Sequence, residues 1–305
     1  MSQPHQLVWV ITGTSSGFGR DLVLAALDRG EKVIATARGK SLDKLDDLKA
    51  KGAYILELDV TDSLDSLKEV AKKAVAVYGR VDVLVNNAGY AIMGPVEENS
   101  PEETFEQFKY LAAVLRFPRL LMRIYSVLAP TSLALNLTRA FLPYMRKRKT
   151  GTLVFAGSIA GRSVIPSVGL YSSTKYAIRG ISLCLHAEIA PLGLRSICIE
   201  FGYFRTAFLA PGHRGVAPQH MEDYREMAEK HEAFLQDADG KQLGDPVKGV
   251  KAILDVVRGE VVAKGHQFPE VLALGSDSFS GTMEEAETSQ KRLNEWKEVS
   301  YSTDF

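Results

Sequence analysis

Cysteine is scarce in this sequence. Cys184 and Cys198 are the two in 305 residues, and neither belongs to a C-x-x-C pair or stands at a histidine spacing that a zinc site needs. A disulfide framework is thereby excluded, and two buried thiols in a reducing compartment are expected. Neither charge is in excess, since 37 Lys and Arg balance 37 Asp and Glu. Without a basic surplus the electrostatic attraction that drives nucleic-acid binding is missing, so nucleic acid is not expected as a partner. Long uncharged hydrophobic runs are missing too. The nearest approach, 111–137, carries Arg116, Arg119, Arg123 and two prolines, which a bilayer core disfavours. No transmembrane segment or N-terminal signal is expected, and the cytoplasm is the expected location. Fixed-period repeats, low-complexity tracts and linkers are likewise wanting. What remains is 46% apolar and 24% charged, an ordinary globular composition that excludes disorder and fibrous classes.

Short apolar runs alternate with longer helical patterns. Strands are expected at 7–12, 32–37, 53–58, 81–86, 152–156, 195–200 and 271–274, and helices near 18–29, 41–51, 63–78, 136–149, 171–190, 246–258 and 281–297. Such alternation predicts an α/β fold, a doubly wound parallel sheet with helices on both faces. The chain is long for the usual ~100–200 residues per domain, but α/β units of ~250 or more are common. One domain over 1–305 is therefore expected. It carries an atypical segment at 111–135, a substrate-covering stretch with helical pieces at 207–245, and a C-terminal helical extension at 281–305.

In an open parallel sheet, ligands bind beyond the carboxyl ends of the strands. After the first strand comes the turn Thr12-Gly13-Thr14-Ser15-Ser16-Gly17-Phe18-Gly19. Glycines there let the backbone approach a pyrophosphate, whose charge a helix N-terminus favours. At the end of the second strand an NAD site usually places an acid for the ribose hydroxyls, whereas an arginine accommodates a 2′-phosphate. This sequence has Arg38 there and no acid. Guanidinium geometry suits phosphate, Ser16 offers a hydroxyl, and NADP(H) is expected over NAD(H). Tyr171 and Lys175 stand four residues apart, on one face of a helix. An ammonium beside a phenol favours the phenolate, which makes a general acid usable at neutral pH. Ser158 lies just past the 152–156 strand, where its hydroxyl is placed to hold a substrate oxygen.

The T-G-x-x-x-G-x-G turn at 12–19, Asp59, the Asn-Asn-Ala-Gly at 86–89, Ser158, Y-x-x-x-K and the Gly202 to Thr206 turn together resemble the short-chain dehydrogenase/reductase family. The likeness runs over roughly 7–206, and among family members it is closest to NADP-preferring hydroxysteroid and retinol dehydrogenase-like proteins. It implies a Rossmann-type oxidoreductase transferring hydride between NADP(H) and a carbonyl or secondary alcohol. Tyr171 is then proton donor and acceptor, Lys175 its partner and a ribose ligand, and Ser158 the residue that orients the carbonyl. Gly13, Ser15, Ser16, Gly17, Phe18, Gly19 and Arg38 match the pyrophosphate and 2′-phosphate side of the cofactor site. Asp59 and Val60 match the adenine contacts, Asn87, Ala88 and Gly89 the adenosine and ribose side, and Gly202 and Thr206 the nicotinamide end. Assembly as a homodimer or homotetramer is implied as well.

Three positions depart from the family pattern. Phe18 stands between the last two glycines where isoleucine is usual, and Phe201 replaces the proline of the nicotinamide turn. Pro130 falls where the family's catalytic asparagine is expected, within the foreign 111–135 segment. Slower turnover is the expected consequence, and a nucleotide-binding protein that senses NADP(H) or acts through partners is the contrasting reading. Phe204, Phe208, Leu209 and Phe234 are candidates for an apolar substrate wall. His213, His220, His231 and His266 share no metal-ligand spacing, so no metal is expected. Glu97, Glu98, Glu102 and Glu103 around Pro101 read as a solvated loop with helix-start signals.

Overall fold

The computed structural model describes residues 6–109, 132–210, 214–216 and 221–305. Most of the foreign segment, with Pro130 and its three arginines, lies outside the described residues. The first half alternates as expected: β1 (Val8–Ile11), α1 (Gly17–Asp28), β2 (Lys32–Ala37), α2 (Asp46–Ala50), β3 (Tyr54–Glu57), α3 (Leu64–Tyr78) and β4 (Val83–Asn86). A two-residue strand β5 (Ile92–Met93) and helices α4 (Pro101–Lys109) and α5 (Ser132–Arg148) follow, then β6 (Gly151–Ala156), α6 (Gly169–Ile189) and β7 (Leu194–Phe201). The chain continues through β8 (Gly215–Val216), α7 (Glu222–Ala238), α8 (Pro246–Arg258), β9 (Val271–Leu274), α9 (Ser276–Glu295) and α10 (Lys297–Tyr301).

Seven of these strands form one sheet in the order β3-β2-β1-β4-β6-β7-β9, with neighbouring strands parallel. Strand residues alternate between two cores because successive side chains leave opposite faces. Trp9 and Ile11 pack with Leu22, Val23 and Ala26 of α1 and Ile253 and Leu254 of α8. Val8 and Val10 pack on the other face with Leu67 and Ala71 of α3, Phe141 and Met145 of α5 and Ile178 of α6. The result is a single Rossmann-like domain. Order reverses between β1 and β4, which opens a crevice at their carboxyl ends.

Local end signals explain why helix limits were legible. Asp245 accepts hydrogen bonds from the backbone of Val247 and Lys248 at 2.8 and 3.2 Å, Pro246 opens α8, and Gly259 closes it at φ 68°. Expected and observed limits of α8 coincide. The 41–51 region has a glycine stop in Gly52 (φ 102°) but no side-chain cap at its start, and two 3₁₀ turns (Gly39–Ser41 and Asp43–Leu45) precede the short α2. Within 207–245 the dominant element is the 17-residue α7, and the C-terminal helix starts at Ser276, directly after Gly275.

Two sequence readings need correction. Glu98 is not a solvated loop residue: it is buried and accepts the Met221 N–H at 2.8 Å, while Glu97, exposed as expected, accepts the Tyr224 hydroxyl at 2.6 Å. They tie the start of α7 to the loop after β5. Glu103 does act as a helix-start residue, in a reciprocal capping box with Ser100. Cys184 is exposed on α6, whereas Cys198 is buried on β7, its thiol pushed up to about 12 by burial and by Glu200. The apolar stretch around Cys184 pointed to burial, but the packing of α6 leaves that thiol on its exposed side.

Asp82 supplies a pH-dependent clamp at the other end of the sheet. Its carboxylate accepts from Val8 N–H (2.9 Å), Arg80 Nε (2.9 Å) and Arg148 Nη2 (2.5 Å). Burial alone raises its pKa, but those hydrogen bonds and charges prevail and hold it below the usual aspartate range. A depressed folded pKa contributes stability that is full above the unfolded value and is lost as pH falls through the folded one. Asp82→Asn is therefore expected to destabilise the fold by about 2–3 kcal/mol at neutral pH. Urea unfolding at neutral and acid pH checks this, with the difference from the parent shrinking on acidification.

Candidate active site

The turn after β1 is held between its two neighbours. Thr12 Oγ1 donates to Val85 O at 3.1 Å and accepts the N–H groups of Asn87 and Ala88 at 2.9 and 3.0 Å. On the other side Thr14 Oγ1 donates to Thr36 O, and Thr36 Oγ1 donates to Ile11 O, both at 3.1 Å. Asn87 Nδ2 closes the loop by donating to Thr12 O at 2.9 Å. Gly13 and Gly17 take φ of 69° and 56°, in the left-handed region that favours glycine. Ser16 caps α1 without a side-chain cap hydrogen bond, and no acid stands in the first turn. That leaves an N-terminus suited to an anion.

A cavity of about 390 Å³ runs along the strand ends. Gly13, Ser15, Ser16, Gly17 and Phe18 line it after β1, Arg38 and Ser41 after β2, Val60 after β3, and Asn87, Ala88 and Gly89 after β4. Ser158 joins them after β6, Tyr171 and Lys175 from α6, and Gly202, Phe204, Thr206, Phe208 and Leu209 after β7. Three expected residues stand outside the lining. Gly19 sits beneath the turn, where a Cβ would overlap Gly13 O and lie 2.6 Å from Asn87 Nδ2. The Asp59 carboxylate turns back on Thr61, accepting its N–H at 2.9 Å and its hydroxyl at 2.7 Å. Phe234 is not a wall residue either. It is exposed and meets Tyr203 edge-on at 6.2 Å, while Leu235 beside it faces the cavity.

The serine and the tyrosine–lysine pair are positioned by backbone and by a buried acid. Ser158 Oγ accepts the Ala160 N–H at 3.1 Å, capping the 3₁₀ turn Ile159–Gly161. Lys175 Nζ donates to Ala156 O at 2.7 Å and stands 5.4 Å from the Tyr171 ring centroid. Arg179, one further turn along the same face of α6, pairs with Glu200 at 2.9 Å, and Arg162 beyond Ser158 pairs with it at 3.1 Å. Glu200 is buried on β7, so one carboxylate ties the Ser158 turn and α6 to the sheet. Nothing in the sequence singled it out, because its partners lie 38 and 21 residues away.

Phe18 and Phe201, the two aromatic departures, account for each other. Their ring centroids are 4.4 Å apart, and Phe204 meets Phe18 edge-on at 4.9 Å. Gly249 of α8 makes room, since a Cβ there would lie 2.8 Å from Phe204. Gly202 is required by a close approach: Asp277 of α9 fills its Cβ position and accepts the Tyr203 N–H at 2.6 Å.

A profile of the short chain dehydrogenase family matches residues 7–215. The chain belongs to that family. It is 29% identical over 301 residues to the oxidoreductase BOA17 of Botryotinia fuckeliana, covering 97% of this chain and 98% of the relative. The solved structure of a short-chain dehydrogenase from Streptomyces avermitilis superposes with a TM-score of 0.83 at 33% identity, covering 99% and 100% of the two chains. The fold alone is shared with ElxO, solved with NADP bound (23% identity, TM-score 0.68, covering 90% and 100%). It is shared too with a Burkholderia phymatum family member solved with NAD (21%, 0.66, covering 85% and 88%). Membership makes this chain an oxidoreductase that binds a nicotinamide cofactor and acts on small molecules. Among the described residues of this dehydrogenase/reductase, no helix is long and apolar enough to cross a membrane.

The family member's cavity also contains residues that sequence reading passed over. His231 and Leu235 reach it from α7, Met93 from β5, and Ile165, Val168 and Tyr203 from loops. His231 has no metal-ligand spacing to mark it in the sequence. Its i,i+4 relation to Leu235 on an amphipathic helix was the available signal.

Proposed function

We propose that this dehydrogenase/reductase is NADP(H)-dependent and interconverts a carbonyl and a secondary alcohol. The observation that carries the reading is the single cavity lined both by Ser158, Tyr171 and Lys175 and by the Gly13 to Phe18 turn and Arg38. Backbone N–H groups around Ser15, Ser16 and Gly17 suit the pyrophosphate at the α1 N-terminus. Arg38, with Ser16 and Ser41 in the same lining, suits a 2′-phosphate, and among the described residues no carboxylate lines the cavity to oppose it. Val60 and Asn87 to Gly89 serve the adenosine side, and Gly202 and Thr206 the nicotinamide end.

When bound, the nicotinamide supplies or accepts the hydride. Tyr171 gives a proton to the carbonyl oxygen in reduction and takes it back in oxidation, through the phenol oxygen. Ser158 holds that oxygen by a hydrogen bond, and Lys175 places positive charge beside the phenol. Phe208 and Leu209 add apolar wall to the same cavity.

Titration with NADPH and NADH, followed by nucleotide fluorescence, tests the cofactor assignment. NADPH is expected to bind the more tightly, and Arg38→Asp to weaken it about 10- to 100-fold by removing a charge-assisted contact and adding repulsion. Binding of neither nucleotide would refute the reading.

A further inference from the structure

Burying a carboxylate is costly, yet Glu200 on the interior strand β7 is only 1% exposed. Arg162 Nε donates to its Oε2 at 3.1 Å, and Arg179 Nε stands 2.9 Å from Oε1 as an ion pair without hydrogen-bond alignment. The Glu200 carbonyl accepts the Ser278 hydroxyl of α9 at 2.7 Å. A buried ion pair adds little stability over well-packed apolar residues of similar volume, so stability alone does not account for this one.

Its two arginines mark the segments it holds. Arg162 closes the 3₁₀ turn that Ser158 caps, its N–H donating to Ile159 O at 3.0 Å. Arg179 lies one helical turn beyond Lys175 on α6. Turn and helix touch where Gly161 meets the Lys175 backbone, since a Cβ on Gly161 would lie 2.9 Å from Lys175 C and O. That contact is apolar and sets no direction. The Tyr176 hydroxyl, donating to Arg162 O, bridges the same seam from the exposed side. Glu200, Lys175, Arg179 and Arg162 all act electrostatically on the buried Cys198 thiol, so the clamp and the Lys175 ammonium surround one point of the sheet.

We infer that Glu200 is a positioning residue for the reaction: through Arg162 and Arg179 it fixes where Ser158 stands relative to the Tyr171–Lys175 pair. Glu200, Arg162 and Arg179 do not line the cavity, so their effect on turnover passes through the residues they hold. Misplacing a reacting group by about 1 Å costs on the order of 10²-fold in rate. The inference rests on the reductase reading above for the roles of Ser158, Tyr171 and Lys175.

Glu200→Gln keeps the side-chain shape and turns one acceptor oxygen into a donor. It is expected to lower kcat for reduction of a reactive ketone about 10- to 100-fold, with the NADPH Kd and the ketone KM within about threefold of the parent's. Arg162→Gln leaves Glu200 paired with Arg179 and should show the same split even if Glu200→Gln fails to fold. Arg162→Lys, which restores the charge, should recover part of the rate. In a Ser158→Ala background the Arg162→Gln loss should shrink to less than about twofold, because a hydroxyl already removed is not misplaced. An unchanged kcat in Arg162→Gln, or an equal loss with and without Ser158, overturns the positioning role.

Hydrogen exchange reads the same turn without turnover. The Ala160 and Gly161 amides donate to Ser158 Oγ and Ser158 O, and in Arg162→Gln they should exchange about tenfold faster while β1 and β4 keep their protection. Faster exchange in a protein whose parent reduces no ketone removes the reductase reading and keeps the hold on Ser158. Turnover that the substitutions leave intact does the reverse. Neither turnover in the parent nor faster exchange in the variant overturns both.

Discussion

Tyr171→Phe is expected to lower kcat for ketone reduction about 10³-fold, within the range for loss of a positioned general acid. The substitution removes only the hydroxyl. The ring, which lies 6.0 Å from that of Phe208 and against the cluster of Met93, Val168 and Leu209, keeps its packing, so the fold should survive with Tm nearly unchanged. Single-turnover oxidation of NADPH in the presence of a reactive ketone checks the rate, and nucleotide titration should remain saturable. A rate equal to the parent's would remove Tyr171 from the chemistry. Nucleotide binding without turnover in both proteins would favour a sensor or interaction module over an enzyme.

Gly19→Ala should instead weaken nucleotide binding itself. The added Cβ would overlap Gly13 O and lie 2.9 Å from Gly13 C and 2.6 Å from Asn87 Nδ2. Two of those atoms are backbone in the turn itself, and the third is the amide that donates to Thr12 O. None can yield without moving the turn. Overpacking of this kind costs about 1–3 kcal/mol, and displacement of the turn should raise the Kd for NADPH at least about 100-fold. Thermal unfolding and the fluorescence titration measure the two effects. Gly180→Ala is the control: on α6 nothing lies within 4 Å of its Cβ position, so replacing a helical glycine should raise stability by roughly 0.5–1 kcal/mol. Equal behaviour of the two variants would show that the turn tolerates a side chain.

Much of the site was legible because its residues sit at strand ends, and strand ends are marked by local chemistry. Gly13, Arg38, Asn87 and Ser158 each follow an apolar run of four to six residues, and parallel pairing carries all of these ends to one edge. Gly19 and Asp59 were placed at the right edge, yet backbone approach in one case and a self-contained Asp–Thr turn in the other keep them out of the lining. Glu98 reads as solvated because nothing local shows that the start of α7 will present the Met221 N–H to it.

The order of strands and helices, the glycine turn, the Tyr171–Lys175 face and the limits of α8 followed from the amino-acid sequence alone, since periodicity and capping act within a few residues. The pairing of Phe18 with Phe201, the clamp of Glu200 on two distant arginines, the exposure of Cys184, and the arrival of His231 in the cavity came with the folded chain. Each depends on which surfaces meet when segments far apart in sequence are packed, and no local pattern encodes that.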